Sequence, residues 1–177
     1  DALRSDQAFA RRIPEIAAIS REYAKRVPVA NGEKTVNARV RGVDPSFGEM
    51  RNVIPQEGGR FLNEMDSALK RRVVVLGDEL ATDLFGKDDP VGKTVQINQS
   101  TFLVIGVMQP KVMMGMYSGP DKGQASIPAP TFKAMFTDGK HNNKVYNPAS
   151  PEVADQAKWQ IYRVLGRKYR FDPDDER

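Results

Sequence analysis

The sequence predicts an α+β fold, in which β-hairpins pack with two or three helices. The first observation is the regular alternation of apolar and polar residues over residues 35–43, just after Asn31-Gly32, which is the strongest short signal for a hairpin. The second is a compact apolar run, residues 72–76, followed at once by a helical pattern. The third is an amphipathic helix near the C-terminus, with Ser150 at the N-cap and Pro151 as its first residue.

The N-terminal region is predicted to contain a short helix over residues 3–13, ended by Pro14. A strand over residues 16–29 follows, with Ile19, Tyr23 and Val27 on one side. This strand and the one over residues 35–43 form the first hairpin, with one face buried.

The central region begins with residues 44–70, which are rich in glycine, proline and polar residues and predict a loop leading to a short helical turn. After the strand over residues 72–76, a helix starts at Asp78 and turns Leu80, Leu84 and Phe85 inward. Gly86 suits the end of this helix, because glycine adopts a positive φ without steric cost.

A second hairpin is predicted from residues 95–97 and 101–108. In its second strand, Phe102 and Val104 face one way, and the other face carries three further apolar residues, Leu103, Ile105 and Val107. Because both faces are apolar, this strand is expected in the middle of a sheet.

The C-terminal part is predicted to start with a long loop over residues 109–123. A short strand and a helix beginning after Pro130 come next, then a polar region with a short strand at residues 144–146. The apolar stripe of the last helix comprises Val153, Ala157, Ile161, Val164 and Leu165, and the acidic tail that follows is predicted to be a linker.

The stretch "LFGKDDPVGKT" has the look of a phosphate-binding loop, but its spacing excludes one. A P-loop requires four residues between its first glycine and Gly-Lys-Ser/Thr, whereas five separate Gly86 from Gly92. Pro90 removes an N–H donor, two carboxylates would face the polyanion, and the helix precedes the loop instead of following it. The stretch is therefore predicted to be a helix end, an Asp-Pro turn and the start of a strand.

Composition excludes several kinds of chemistry. The 177 residues, one domain or two small ones, include no cysteine and a single histidine, His141, which rules out thiol catalysis, zinc–cysteine sites and histidine-rich metal sites. Asp88-Asp89 and Asp174-Asp175 are adjacent pairs in turns, so their carboxylates diverge. No catalytic, cofactor-binding or metal-binding residues are predicted, and no apolar run reaches the length of a membrane span.

Basic residues cluster at residues 70–72 and at Arg163, Arg167, Lys168 and Arg170, and the net charge is +4. Such clusters suit nucleic acid or anionic lipid headgroups. They also suit a solvated strand edge and the polar end of a helix. The near-equal number of acidic residues favours the second interpretation, and no nucleic-acid partner is predicted.

The unusual feature of the loop over residues 109–123 is a group of candidate contact residues, Met113, Met114, Met116 and Tyr117. Methionine adapts to irregular surfaces, so these side chains are predicted to touch a partner or an apolar substrate. Simple packing within the loop is the alternative. Binding of Cu(I) by the thioethers is disfavoured, because no histidine or cysteine accompanies them.

Five short motifs, in order over about ninety residues, resemble the periplasmic core domain of MacB-type (FtsX-like) ABC transporter permeases. They are Gly59-Arg60-Phe61 with Asp66 downstream, Val75-Leu76-Gly77, Leu84-Phe85-Gly86, the Asp-Pro-Val-Gly-Lys run of residues 89–93, and Ile105-Gly106-Val107. A fainter likeness extends over nearly the whole chain. One departure is Asn98-Gln99, where an Asn-Gly turn is often found in such domains.

The resemblance implies a two-part domain. A porter-like subdomain of β-α-β units would be formed by residues 1–44 and 125–177, and a mixed α/β sabre-like subdomain by residues 45–124. The domain would lie on the periplasmic or extracytoplasmic face of the inner membrane, between two membrane helices. A chain that starts at Asp1 fits such a piece of a longer protein.

The resemblance implies no catalysis and no cofactor. A cytoplasmic ABC ATPase would hydrolyse ATP, and a permease dimer would convey the motion to this domain, with a periplasmic adaptor and an outer-membrane channel as further partners. Export of macrolides, peptides or lipoproteins and transmembrane signalling all stay open. The alternative is a free-standing periplasmic binding or hydrolytic domain.

Overall fold

The computed structural model describes residues 16–32, 34–110, 123–136 and 143–148, together with Lys158, Gln160 and Arg163. The backbone divides into two compact units, Ser20–Lys144 and the pair Asp1–Ile19 with Val145–Arg177. Most described residues belong to the first of these units. The predicted boundaries at residues 44/45 and 124/125 stay a prediction, and the predicted N-terminal helix lies outside the described residues.

The described residues form seven strands and four helices. The strands are β1 (Ile16–Asn31), β2 (Lys34–Val43), β3 (Val73–Leu76), β4 (Thr94–Ile97), β5 (Ser100–Val107), β6 (Gln124–Pro128) and β7 (Asn143–Pro148). The helices are α1 (Ser46–Met50), α2 (Glu64–Ala68), α3 (Asp78–Phe85) and α4 (Ala129–Met135). Helix α4 thus begins slightly earlier than predicted, with Pro130 inside its first turn. In the predicted last helix, the three described positions are helical.

The strands form one mixed sheet in the order β2-β6-β3-β5-β4-β1-β7, and β1 also pairs with β2. The hydrogen bonding of six strands therefore closes on itself. Pairs β2–β6 and β3–β5 are parallel, whereas β1–β2, β1–β4, β3–β6 and β4–β5 are antiparallel. As predicted, β5 is a central strand, flanked by β3 and β4.

The core is made by side chains of β1 to β6 together with α3 and α4. The largest fully buried side chains of this core include Tyr23, Phe102 and Phe132, and the rings of Tyr23 and Phe132 stack with their centroids 5.7 Å apart. The predicted inward residues Val27, Leu80, Leu84 and Phe85 all belong to this core. Burial of this apolar surface is the main source of stability of the fold.

The predicted alternation in β5 is wrong at one position. Val107 packs in the same core as Phe102 and Val104, because the register with β3 shifts between Val74 and Val75, where a β-bulge interrupts the ladder. A bulge adds one residue and so reverses the side on which the following side chains point. Leu103, on the opposite face, is 42% exposed.

The two predicted hairpins are confirmed. In the first, Asn31 lies opposite Lys34. In the second, Ile97 lies opposite Ser100, and both intervening residues have a positive φ, 47° at Asn98 and 67° at Gln99. Positive φ at both central positions is the requirement of a type I′ turn.

Between β2 and β3, the sequence predicts a loop and one helical turn, but the structure has two short helices. The predicted turn is α2, whereas α1 was missed because Pro45 and Gly48 flank or interrupt a pattern of only five residues. Phe47 and Gly48 are buried, and the ring of Phe61 packs where a side chain at residue 48 would lie. Tertiary packing thus stabilises a helix that is too short to be stable alone.

Candidate functional site

The predicted turn "KDDPVG" is confirmed, and its polar groups are already engaged. The carboxylate of Asp89 accepts from Val91 N at 3.0 Å, and Lys93 Nζ donates to Asp88 Oδ2 at 3.2 Å. Gly92 N donates to Val104 O, and Lys93 N to Pro90 O. Amides that a phosphate cradle would need are therefore used within the fold. Gly86 has the predicted positive φ, 66°, and its N–H donates to Thr82 O at the end of α3.

A polar cluster in the described residues is centred on Asp66, in α2. Arg60 donates two hydrogen bonds to the Asp66 carboxylate, from Nη1 to Oδ2 at 2.6 Å and from Nη2 to Oδ1 at 3.1 Å. Arg71 Nη1 approaches Oδ1 to 3.6 Å. The Asp66 side chain is fully buried, whereas the side chains of both arginines are 43% exposed. We call Arg60, Asn63, Asp66 and Arg71 the Asp66 cluster.

Asp66 also takes part in the cap of the helix that carries it. Asn63 N donates to Asp66 Oδ2 and Asp66 N donates to Asn63 Oδ1, each at 3.0 Å. This reciprocal pair is a capping box, which satisfies two otherwise free N–H groups at the helix start. The same carboxylate thus serves both the helix and the two arginines.

The pKa of Asp66 reflects these contacts. Burial alone would raise the pKa of the carboxyl group. The hydrogen bonds from Arg60 and from Asn63 N, with the positive charges of Arg60 and Arg71, outweigh burial and hold the pKa below its ordinary value. Asp66 is therefore a permanent anion near neutral pH, so it does not suit the role of a proton donor or acceptor.

Helix α2 ends in a way that positions Arg71. Lys70, with φ of 48°, takes the left-handed conformation. Arg71 N then donates to Asp66 O and Lys70 N to Ser67 O, the hydrogen-bond pattern of a Schellman motif. Arg71 O accepts from the buried hydroxyl of Thr131 in α4 at 2.9 Å. The cluster is therefore tied to a second helix.

Residues 54–60 lie along the edge of β5 beyond its bulge, and we call them the edge segment. Gln56 N donates to Val107 O at 2.7 Å, and Arg60 N to Ile105 O at 2.9 Å. Glycine is needed for this approach, because a Cβ at Gly106 would lie 2.4 Å from Arg60 O and one at Gly59 would lie 2.8 Å from the Cα of Gly106. Two motifs of the predicted likeness, Gly-Arg-Phe and Ile-Gly-Val, thus meet here.

A surface groove of about 590 Å³ lies beside the cluster. Its walls come from α1, from residues that follow it and from the start of α2, including Glu49, Asn52, Phe61 and Glu64. The groove has no cationic side chain among its lining residues. Two carboxylates, those of Glu49 and Glu64, line the groove. They have no third acidic or histidine partner, since the described residues contain no group of three potential metal-ligating side chains.

The predicted contact residues Met113, Met114, Met116 and Tyr117 lie outside the described residues, as does His141, so their roles stay predictions. The sequence identified Arg60 and Asp66 only as residues of a motif and did not predict that their side chains bind each other. The signal that could have found the capping box was Asn63 three residues before Asp66. Among the described helices, none has the length and apolarity to cross a bilayer.

Comparison with known proteins gives a consistent result. Residues 1–163 match the family described as "MacB-like periplasmic core domain". A relative is the macrolide export ATP-binding/permease protein MacB of Chlorobaculum tepidum, 36% identical over 147 residues, which are 81% of this chain. The chain spans 22% of the length of that relative.

Two solved structures share the fold. The extracellular domain of the noncanonic ABC-type transporter YknZ from Gram-positive bacteria has a TM-score of 0.80 at 18% identity, over 96% of this chain and 84% of that one. The periplasmic region of MacB from Actinobacillus actinomycetemcomitans has a TM-score of 0.78 at 21% identity, over 95% of this chain and 74% of that one. Both share its mixed α/β character.

Proposed function

The chain belongs to the family of MacB-like periplasmic core domains, and from this premise we propose that it is the non-catalytic periplasmic part of an ABC exporter permease. The family assigns it to the periplasm. The match over residues 1–163 is the observation that carries the proposal. In this role the domain couples ATP hydrolysis on the cytoplasmic side to movements that drive a substrate outward.

The construction of the unit Ser20–Lys144 supports a mechanical role. A ring of paired strands encloses one apolar core, and the edge segment is fixed to β5 by backbone hydrogen bonds and by the Asp66 cluster. Close-packed interiors transmit displacement because they resist compression. Asp66, the most fully buried carboxylate described, acts as a structural anion.

The finer features of the proposal are the two-part architecture and the partners. The proposed division is a porter-like part, residues 1–44 and 125–177, and a sabre-like part, residues 45–124. The partners are an ABC ATPase, a second permease copy and, in an adaptor-dependent system, an adaptor and an outer-membrane channel. Met113, Met114, Met116 and Tyr117 are the proposed contact with a partner or an apolar substrate.

Several substrate classes are proposed, and the relatives do not reduce them to one. The name of the Chlorobaculum tepidum relative specifies macrolides. Peptides, lipoproteins and a purely signalling role are the other proposed outputs of such a domain. Because the domain conveys motion, its contribution to any of them is mechanical coupling.

The test uses the full-length permease that carries this chain, together with its ATPase. Residues 20–144 are replaced by a flexible linker, and ATP hydrolysis and substrate export are measured in the same vesicles. We expect export to stop while basal ATP hydrolysis persists, because the chemistry takes place elsewhere. An Asp88→Asn substitution, in an exposed turn, serves as the control and should change neither activity.

Two results would refute the proposal. One is full export without residues 20–144. The other is a gene whose sequence around the chain encodes no apolar spans of about twenty residues, because a permease domain must be attached to membrane helices. A hydrolytic activity of the isolated chain would favour the free-standing alternative.

A further inference from the structure

The basic run at residues 70–72 adjoins an exposed apolar surface that the sequence did not reveal. Met65 and Leu69, four residues apart in and at the end of α2, are 58% and 61% exposed. Side chains at this spacing lie on one face of a helix. Leu103 in β5, 42% exposed, adjoins the run because its N–H donates to Arg72 O at 3.0 Å. We call Met65, Leu69, Lys70, Arg71, Arg72 and Leu103 the basic–apolar surface.

The geometry of this surface is set by the contacts around Asp66. The Schellman motif fixes the backbone at Lys70 and Arg71, and Arg71 Nη2 lies 3.7 Å from the sulfur of Met65. The backbone of the basic run is therefore fixed beside the apolar pair, and the Arg71 side chain lies against Met65. Exposed apolar side chains grouped beside charged residues are typical of interaction sites.

The surface has an excess of positive charge. Lys70, Arg71 and Arg72 of this surface, with Arg60, which binds the same carboxylate as Arg71, bring four positive charges, and Asp66 beneath them brings one negative charge that is buried. The difference is three positive charges, of which Glu64 at the far end of α2 offsets one. Within the described part of the chain, neither Lys70 nor Arg72 forms an ion pair.

We propose that the basic–apolar surface binds the anionic headgroup region of a phospholipid bilayer. Cations that surround a small apolar group suit the interface of a membrane, where the apolar side chains enter the acyl boundary and the cations bind phosphates. The choice of a bilayer over other anionic partners rests on the proposed function, in which the domain is joined to membrane helices. The inference goes beyond the proposed function, since export coupling does not require lipid contact.

The test is co-sedimentation of the purified 177-residue chain with lipid vesicles. One set contains phosphatidylglycerol and the other only phosphatidylcholine, and each is measured at low and at raised salt. We expect binding to the anionic vesicles that weakens as salt rises, because the cations are exposed to solvent. Each basic side chain near an anionic surface contributes about a fivefold factor, so Lys70→Gln with Arg72→Gln should lower the partition coefficient about 25-fold.

Matched variants distinguish this surface from general charge and general apolarity. Lys34→Gln with Lys87→Gln removes the same charge elsewhere, and Ile54→Ser alters an apolar residue that is 51% exposed; both should leave vesicle binding unchanged. Met65→Gln with Leu69→Gln should weaken binding even at low salt. Circular dichroism of each variant verifies that the fold is intact.

The proposal is overturned if the chain ignores both kinds of vesicle, or if the control variants weaken binding as much as the test variants do. Binding of polyglutamate in place of vesicles would also overturn it and would assign the surface to an acidic protein partner. Export and ATP hydrolysis do not enter these measurements, so failure here leaves the proposed function untouched.

Discussion

β5 is held by two different kinds of chemistry, one on its core face and one along its edge. On the core face, Phe102 and Val104 pack among apolar side chains from strands and helices. Beyond the bulge, the edge segment lies beside this strand and is held to it by backbone hydrogen bonds. The edge segment ends at Arg60, which forms an ion pair with Asp66. The first arrangement depends on area removed from water, and the second depends on the charge and geometry of one carboxylate.

The two regions should respond to different perturbations. Apolar burial is insensitive to pH but sensitive to cavities. A buried carboxylate is insensitive to small volume changes, yet it depends on remaining ionised and on keeping its partners. Changes to each region can therefore be designed so that the other region stays intact.

The largest effect is expected from a cavity in the core. Phe102→Ala should lower the free energy of unfolding by about 4 kcal/mol, because the buried ring has no replacement. Urea denaturation measures the change. Leu103→Ala, next along the same strand but 42% exposed, is the control and should cost about 1 kcal/mol or less. Equal losses at the two positions would contradict the assignment of the two faces.

The next largest effect is expected at Asp66. Asp66→Asn keeps an acceptor for Asn63 N but removes the charge that Arg60 and Arg71 bind, so we expect a loss of about 2 to 3 kcal/mol. Asp88→Asn breaks an exposed ion pair with Lys93 and should cost less than about 0.5 kcal/mol. If Asp66→Asn lost no more stability than Asp88→Asn, the charge of Asp66 would not be important for the stability of the fold.

The pH dependence separates the regions further. The pKa of Asp66 is lower in the folded chain than in the unfolded chain, so its stabilisation is present above the unfolded value of about 3.9 and is lost as pH falls through the folded value. The stability gap between the wild type and Asp66→Asn should thus narrow below pH about 4. The difference in free energy of unfolding between the wild type and Phe102→Ala should stay constant over the same pH range. If both differences changed with pH in the same way, the two regions would not differ in their dependence on charge.

The smallest effect, and the only stabilising one, is expected in the β4–β5 turn. Gln99 has a φ of 67°, a conformation that costs a residue with a Cβ more than it costs glycine. Gln99→Gly should raise the free energy of unfolding by about 0.5 kcal/mol after the entropy of the unfolded glycine is included. Asn98→Gly is the comparison and should gain less, because asparagine tolerates this conformation; a destabilised Gln99→Gly chain would argue against a type I′ turn.

Local signals in the sequence predicted most of the strands and α3. Asn31-Gly32 marked the first hairpin, the alternation around Val95 marked the second, and Gly86 marked the end of a helix. These features depend on neighbours within a few residues, so they can be seen without tertiary information. The family resemblance, drawn from motif order, was confirmed by the match of residues 1–163.

The features that the sequence did not predict depend on distant contacts. The bulge that turns Val107 inward is set by pairing with β3, in which Leu76, the partner of Val107, lies thirty-one residues away in the chain. The exposure of Met65 and Leu69 depends on which face of α2 the fold covers. Arg60 and Asp66 were identified only as motif residues, and neither their contact with each other nor the hydrogen bond from Arg60 N to Ile105 O was predicted.

Amide hydrogen exchange of the wild type and of Asp66→Asn tests most directly whether the edge segment is held independently of the core. The informative amides are those of Gln56 and Arg60 in the edge segment and those of Val74 and Val104 in the core strands. We expect Asp66→Asn to accelerate exchange at Gln56 and Arg60 while Val74 and Val104 keep their protection. Equal acceleration at all four amides, or none at Gln56 and Arg60, would contradict the account.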